Sequence, residues 1–231
     1  MKIVQKIRPH QLLGLGSDFG KPFTGFMPQP FSGSLMALEN IVILKLINLI
    51  DPINIFEFGT YMGETTRLII ENLDYKKNNN RKLWTIDIDT IDGINFHGND
   101  IDLATNSLKL ERNYLKSKYS NIVNQIYSDS MFFDPSSINE KMDFIFIDAN
   151  HSLSYVKNDT EKSLEMISNK KSVIIWHDYE NPQFKDLTNY LDLLSQNGFK
   201  IYHIEETMLA IMFSDDIKFL DKISSGSIFF K

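Results

Sequence analysis

The chain has 231 residues, 42% of them hydrophobic, which is enough for one substantial core and favours a single domain with an appendage. Its formal net charge is -6 and its basic residues are not clustered, which argues against a nucleic-acid surface and favours a small-molecule partner. The absence of cysteine excludes disulfides, thiolate metal sites and a cysteine nucleophile, so a metal would need His, carboxylate or carbonyl ligands.

The amino-terminal part reads as an arm followed by a helix. Residues 1–33 are rich in Gly and Pro and have no helical or strand periodicity, which predicts an irregular arm. Apolar residues then step by three and four from Ser34 to Ile50, which predicts one face of a helix. We expect residues 1–52 to cover the substrate or to contact a second protomer, with Phe23, Phe26 and Phe31 either over the pocket or simply packed.

The amino-terminal part also indicates where in the cell the protein is located. The most hydrophobic stretch, Leu35 to Ile50, is interrupted by Glu39, Asn40, Lys45 and Asn48, and the first ten residues have no apolar signal core. We therefore expect a cytoplasmic protein that does not bind membranes.

After Pro52 short apolar runs alternate with helical stretches, which is typical of a doubly wound α/β fold with a mostly parallel sheet. The predicted strands are Ile53–Phe58, Leu83–Ile88, Ile122–Tyr127, Met142–Ile147 and Ser172–Trp176. The predicted crossover helices are Thr65–Leu73, Ile101–Lys118, Ser152–Ile167 and Pro182–Gln196.

The end of the chain breaks this alternation. Two strand-like runs, Lys200–Glu205 and Met208–Phe213, are separated only by Glu206 and Thr207, which permits only a hairpin. We therefore expect a domain over residues 53–214 that closes with two antiparallel strands, followed by a tail over residues 215–231.

The first candidate site is the loop after the first of these strands, which reads E-F-G-T-Y-M-G-E-T-T from Glu57 to Thr66. Gly59 and Gly63 permit close backbone approach to a ligand, and Thr65 or Thr66 is able to cap the next helix. The loop lies where open α/β sheets bind ligands, but its spacing is neither G-x-G-x-x-G nor a P-loop. A nucleoside without phosphates fits better than a dinucleotide.

Polar residues also end the next two strands. In W-T-I-D-I-D, Asp87, or alternatively Asp89, is placed to accept hydrogen bonds from ribose hydroxyls. In S-D-S, Asp129 and Ser130 are placed to bond an adenine ring, although Asp-Ser also suits a plain turn.

The strongest signal comes from the fourth and fifth strands, which end in F-I-D-A-N-H and W-H-D-Y. Asp148, His151, His177 and Asp178 therefore converge on one cleft from adjacent strands. His151 is a candidate general base because an imidazole titrates near neutral pH, with His177 as the alternative if no metal binds. Asp178 would then orient an imidazole or hold a metal.

These motifs resemble those of class I S-adenosylmethionine-dependent methyltransferases, specifically the family 24-like group with FIDxxH and WHDY strand ends, and more distantly macrocin and catechol O-methyltransferases. The likeness covers about residues 53–214, including T-M-L-A in the last hairpin. It implies a Rossmann-like, seven-stranded sheet of order 3-2-1-4-5-7-6 and O-methylation of a small-molecule hydroxyl on a carbohydrate or secondary metabolite.

The resemblance also implies roles for individual residues. The cofactor S-adenosylmethionine would contact the loop and the strand ends, with Glu57, Gly59 and Gly63 at its methionine portion; the implied cofactor residues are Glu57, Gly59, Thr60, Gly63, Thr65, Asp87, Asp129, Ser130 and Asp148. The metal-using relatives bind magnesium at positions matched by Asp148, His177 and Asp178. His177 replaces their usual acid, and imidazole favours a softer divalent ion than Mg²⁺.

Three other functions compete with this interpretation. For a nicotinamide-linked oxidoreductase, the glycine spacing and the terminal hairpin of this sequence are both wrong. A hydroxylase on the same fold would use the same metal site for oxygen chemistry. A non-catalytic nucleoside-binding protein would not need the cluster of histidines and carboxylates. The loop Thr90–Asp100, with His97, is a candidate lid over the cofactor.

Overall fold

A computed structural model of the protein describes residues 4–13, 24–30, 33–96 and 100–214. The strands are β1 (Gln5–Ile7), β2 (Asn54–Phe58), β3 (Lys82–Asp87), β4 (Val123–Tyr127), β5 (Phe144–Ile147), β6 (Val173–Trp176), β7 (Ile201–Ile204) and β8 (Ala210–Phe213). The α-helices are α1 (Pro9–Leu13), α2 (Ala37–Ile50), α3 (Glu64–Glu71), α4 (Asp100–Ser107), α5 (Leu153–Met166) and α6 (Lys185–Gln196).

All the strands lie in one sheet of order β4-β3-β2-β5-β6-β8-β7-β1. The pairing is parallel except at β8, which runs antiparallel to both β6 and β7. The Rossmann-like fold, the order of the seven predicted strands and the terminal hairpin are confirmed. The connection of that hairpin spans residues 205–209, because both strands are shorter than predicted.

The arm contributes an element that the sequence did not predict. Residues 5–7 form β1, which pairs in parallel with β7 at the edge of the sheet, and α1 follows it, so the expectation of a wholly irregular arm is wrong for this part. Farther along, the Arg67 guanidinium lies 4.6 Å from the centre of the Phe26 ring, which packs that aromatic on α3. Phe23, Phe31 and the tail over residues 215–231 lie outside the described residues.

The sheet is covered on both faces, as the apolar strands predicted. Along β5, Phe144 and Phe146 join the core that includes α1, α2 and α3, whereas Ile145 and Ile147 join the core that includes α5 and α6. This alternation buries every residue of β5 and leaves only the strand ends to form a polar site.

Helix α4 is shorter than the predicted Ile101–Lys118. It ends at Ser107, whose carbonyl oxygen and hydroxyl both accept hydrogen bonds from Arg112 Nη1, and a 3-10 turn follows at Asn113–Lys116. The prediction of one helix over Ile101–Lys118 is therefore wrong. The buried side chain of Arg112, which follows α4, donates to the acceptors of Ser107 in place of the N–H groups of a further helical turn. Within the described parts of the chain, each helix is too short or too polar to cross a bilayer.

Candidate active site

A cavity opens at the carboxyl ends of β2, β3 and β5, beside α4. Five residues that the sequence singled out line it, namely Gly59, Asp87, Ser130, Asp148 and His151. The other predicted site residues do not line it; these are Glu57, Thr60, Gly63, Thr65, Asp129, His177 and Asp178. His97, the expected lid residue, lies outside the described residues.

The two loop glycines are required by the packing of the protein chain itself. Gly59 has φ +88°, and a Cβ there would lie 2.0 Å from the carbonyl oxygen of Asp148, so glycine lets the ends of β2 and β5 approach each other. Gly63 has φ +75°, stands at the N-cap of α3 and would bring a Cβ within 2.8 Å of the Tyr114 ring. The expectation that Thr65 or Thr66 caps this helix is therefore wrong.

Glu57 is fully buried beneath the loop. Its Oε2 accepts hydrogen bonds from the hydroxyls of Thr66, at 2.5 Å, and Thr85, at 2.7 Å. A chain of hydrogen bonds continues from Thr85 to Thr60 and then to Gln125. Burial raises the pKa of Glu57 to about 8, against the opposing effect of these hydrogen bonds, so the carboxyl is neutral at pH 7.

Asp87 forms the polar part of the cavity wall at the end of β3. It accepts backbone hydrogen bonds from Tyr61 and Ile88, and its Oδ2 lies 3.1 Å from Nη2 of the buried Arg112. Burial raises the pKa of Asp87, and Arg112 only partly offsets this effect. Asp89, the alternative that the sequence left open, is exposed and does not line the cavity.

Asp129 and Ser130 follow the end of β4, and only one of them lies at the cavity. Asp129 Oδ2 accepts a hydrogen bond from the Tyr155 hydroxyl at 2.7 Å, and Oδ1 accepts one from the backbone of Met131. Ser130 and Tyr155 line the cavity, whereas Asp129 holds Tyr155 from behind.

The ends of β5 and β6 bring together the residues that were predicted to bind a metal. One ligand atom each from Asp148, His177 and Asp178 lies within 4.8 Å of the other two. His177 Nδ1 is 3.3 Å from Asp148 Oδ1 and 3.1 Å from Asp178 Oδ2. Asp178 adopts a left-handed conformation with φ 61°, and its other oxygen accepts a hydrogen bond from Asn181, which fixes the carboxylate.

His151 joins the same cluster from the start of the segment that leads into α5. Its Nδ1 lies 3.0 Å from Asp100 Oδ2, at the first residue of α4, and its Nε2 lies 2.9 Å from Asp178 Oδ2. The imidazole stacks on the Phe184 ring with centroids 3.9 Å apart. His151 and Asp148 therefore belong both to the cluster and to the cavity wall.

Two further carboxylates were missed by the sequence reasoning. Besides Asp100, the fully buried Glu39 of α2 places Oε2 3.2 Å from His177 Nε2 and accepts backbone hydrogen bonds from Met36 and Met208. Glu39 had appeared only as an interruption of an apolar segment. A signal was present, because Glu39 is four residues after Leu35 and so lies on the predicted apolar face.

The imidazoles and carboxylates of the cluster shift one another's pKa. Burial alone would lower the pKa of both imidazoles, but the surrounding carboxylates outweigh it and raise the pKa of His151 and His177 well above the usual value. Burial likewise opposes ionisation of Asp148 and Asp178, yet the imidazoles hold the pKa of both carboxyls below the usual value. The carboxylates therefore favour the protonated form of both imidazoles, and a protonated imidazole lacks the lone pair that a general base needs.

The architecture is similar to that of solved O-methyltransferase structures. A putative caffeoyl-CoA O-methyltransferase from Staphylococcus aureus matches with TM-score 0.54 and 18% identity, over 78% of this chain and 85% of that one. An O-methyltransferase from Bacillus cereus, in complex with SAH, matches with TM-score 0.51 and 14% identity, over 89% and 88%. The O-methyltransferase TomG from Streptomyces achromogenes, in complex with SAM, matches with TM-score 0.51 and 12% identity, over 78% and 82%.

The sequence comparison identifies the family. No protein with a curated description matches the chain. The model of a family described as "Methyltransferase domain" matches residues 56–179, which run from β2 to the W-H-D-Y motif and make up more than half of the sequence. The chain therefore belongs to this methyltransferase-domain family.

Proposed function

We propose that the protein is an S-adenosylmethionine-dependent O-methyltransferase that acts on a hydroxyl of a small molecule, a carbohydrate or secondary metabolite, with help from a divalent cation. The observation that carries the proposal is the wall shared by the cavity and the cluster through Asp148 and His151. A methyl donor in the cavity and an acceptor at the cluster would be neighbours. Methyl transfer requires this proximity, since the acceptor oxygen approaches the methyl carbon in line with the breaking bond.

The cavity suits a nucleoside. It is an open cavity whose lining is mostly apolar with a few polar groups, which is the usual composition of small-molecule sites. The apolar side chains of Ile94, Phe96 and Leu103 line it together with the Asp87 carboxylate. These features fit an adenine ring and a ribose, respectively, and Ser130 provides a further polar group.

The loop amides argue against a dinucleotide. The backbone N–H groups of Gly59, Tyr61 and Gly63 donate to Ile86 O, Asp87 Oδ2 and Thr60 O. Because a pyrophosphate is bound by free N–H groups of such a loop, the engagement of these three amides makes the loop less suited to NAD. This supports the methyl donor over the nicotinamide cofactor.

The cluster supplies acceptor activation. Asp148, His177 and Asp178 present two carboxylates and one imidazole on a common point, a donor set that fits a divalent cation. Such a cation, when bound, would lower the pKa of the acceptor hydroxyl and fix its position. Asp148 and His151 would orient the acceptor toward the cavity, and Asp178 would hold the imidazoles in place.

The test is calorimetric titration of the protein with S-adenosylmethionine, S-adenosylhomocysteine and NAD, before and after chelation of metals, followed by a screen of hydroxyl acceptors for methyl transfer. We expect the two sulfur nucleosides to bind and NAD not to bind. Asp87→Asn keeps the size of the side chain but removes its charge and one of the two oxygens that accept backbone hydrogen bonds, and we expect it to weaken the binding of both nucleosides. Preference for NAD, or no nucleoside binding, would contradict the proposal.

One observation favours a second function, a metal-dependent hydroxylase. His151 and His177 with one carboxylate of the cluster match the ligand types of two-histidine, one-carboxylate iron oxygenases. Turnover that consumes 2-oxoglutarate with iron, and that does not consume S-adenosylmethionine, would favour this alternative.

A further inference from the structure

We propose that His151 is a fourth metal ligand, bound through Nε2, so that two imidazoles and two carboxylates form a site for a first-row transition ion in preference to Mg²⁺. This inference rests on the metal assistance in the proposed function, and it changes the role of His151 from orienting the acceptor to binding the metal. The other three ligands are those already described, Asp148, His177 and Asp178.

The spacing of the four donor atoms supports this assignment. His151 Nε2 lies 2.9 Å from Asp178 Oδ2 and 3.7 Å from Asp148 Oδ1, and His177 Nδ1 lies 3.1 and 3.3 Å from the same two oxygens. Ligands about 2.1 Å from an ion are separated by about 3.0 Å in octahedral and about 3.4 Å in tetrahedral geometry. Three of these separations lie within about 0.1 Å of that range, and the fourth, between His151 Nε2 and Asp148 Oδ1, is wider. One ion would therefore contact all four atoms once the His151 ring moves closer to the group formed by Asp148, His177 and Asp178.

The His151 side chain is held with Nε2 toward the cluster. Nδ1 contacts Asp100, and Phe184 stacks on one face of the ring. His151 is only 8% exposed, and Nε2 has no hydrogen-bond partner among the described residues, although Asp178 is near it. Nε2 thus lies 2.9 Å from Asp178 Oδ2 without the geometry of a hydrogen bond, and a metal ion between the two atoms would use both as ligands.

Each imidazole also has an outer carboxylate. Asp100 contacts the nitrogen of His151 that faces away from the cluster, and Glu39 does the same for His177. Metal-binding histidines characteristically donate their second N–H to a carboxylate, which fixes the tautomer and strengthens the ligand. The same arrangement on both histidines would not be needed if only His177 bound the metal.

The donor set determines the class of ion. Mg²⁺ prefers oxygen ligands and retains several waters, whereas imidazole ligands suit ions such as Zn²⁺, Co²⁺ and Fe²⁺. Two nitrogens among four protein ligands therefore favour a transition ion. With Nε2 bound to the ion, His151 has no lone pair with which to take the proton of the acceptor.

The inference is testable without turnover, on the full chain stripped of metal. Electron paramagnetic resonance of bound Cu²⁺ reports the number of coordinated nitrogens, and calorimetry gives the affinities for Co²⁺ and Mg²⁺. The variants are His151→Ala and His151→Gln, and the control is His10→Gln, which changes an exposed histidine on α1. S-adenosylhomocysteine binding is measured on every variant as an independent check of the fold and of the nucleoside site.

We expect two coordinated nitrogens in the wild type and the control, and one in both His151 variants. The Co²⁺ affinity of these variants should fall by more than the ~10- to 100-fold typical of lost outer partners, whereas the Mg²⁺ affinity changes little. One nitrogen in the wild type, unaltered Co²⁺ affinity in the variants, or no metal binding would overturn the inference. If the wild-type protein does not bind S-adenosylhomocysteine, the result would instead contradict the proposed function, whatever the metal measurements show.

Discussion

Replacing Glu57 by Gln is expected to make the protein more stable, by an amount that grows with pH. Glu57 is fully buried, and its pKa is raised from 4.5 to about 8, chiefly by burial. Folding at pH 7 therefore requires this carboxyl to take up a proton. Because the folded state binds more protons than the unfolded state between pH 4.5 and 8, stability falls as pH rises through this window. Glutamine resembles the neutral acid in shape and does not titrate.

The magnitude follows from the linkage relation. Each pH unit inside the window costs the wild type about 1.4 kcal/mol of unfolding free energy, so the advantage of Glu57→Gln should grow by roughly 3 kcal/mol between pH 5 and pH 7. Urea unfolding of both proteins at several pH values measures this difference, in which the other titrating groups cancel. Ile70→Val, in the same region of α3, should lower stability by about 1 kcal/mol at every pH. A difference between Glu57→Gln and wild type that stays constant over this range would refute the reasoning.

Three further substitutions test other parts of the site. Gly59→Ala should lower the free energy of unfolding by about 3 kcal/mol, because the added Cβ would collide with the backbone of Asp148. Gly198→Ala is the control, since Gly198 also has positive φ but open space around it, and it should cost about 1 kcal/mol. Thermal or urea unfolding measures both. Arg112→Met leaves Asp87 buried without its cation and should cost about 3–5 kcal/mol, with partial recovery when Asp87→Asn is added. Glu39→Gln should weaken Co²⁺ binding by about 10- to 100-fold in calorimetry; unaltered binding would contradict its role behind the histidine.

The sheet was predictable from sequence because its strands are buried on both faces and so appear as continuous apolar runs. β1 could not be recognised in this way, since three residues are too few to show a pattern and their pairing with β7 is a long-range contact. The end of α4 depends on a near neighbour, since the Arg112 side chain that bonds Ser107 is only five residues farther along and lies inside the predicted helix. Apolar periodicity therefore predicts an element well only when no specific side-chain contact, near or far along the chain, decides where the element forms or ends.

The residues of the site also differ in whether the sequence could predict them. Convergence of Asp148, His151, His177 and Asp178 was predictable, because parallel strands end at one edge of the sheet. The partners behind the histidines come from helices, and a carboxylate early in a helix looks like an ordinary favourable interaction with the helix dipole. Glu57 is the opposite case, since a residue that the sequence placed at the cofactor is fully buried, bonds the Thr85 hydroxyl and does not line the cavity.

The cluster also explains how the fold tolerates so many buried charges. Glu39, Asp100, Asp148 and Asp178 surround two imidazoles, and no lysine or arginine among the described residues pairs with these four carboxylates. Two imidazolium protons supply the same positive charge as one divalent ion bound to two neutral imidazoles, because ion binding releases protons from its ligands. The charge of the cluster would therefore be equal in the doubly protonated and the metal-bound states, and we expect the protein to fold without the ion, unlike a zinc finger. The ion would accordingly be exchangeable in a preformed site, as expected for a group that takes part in acceptor activation.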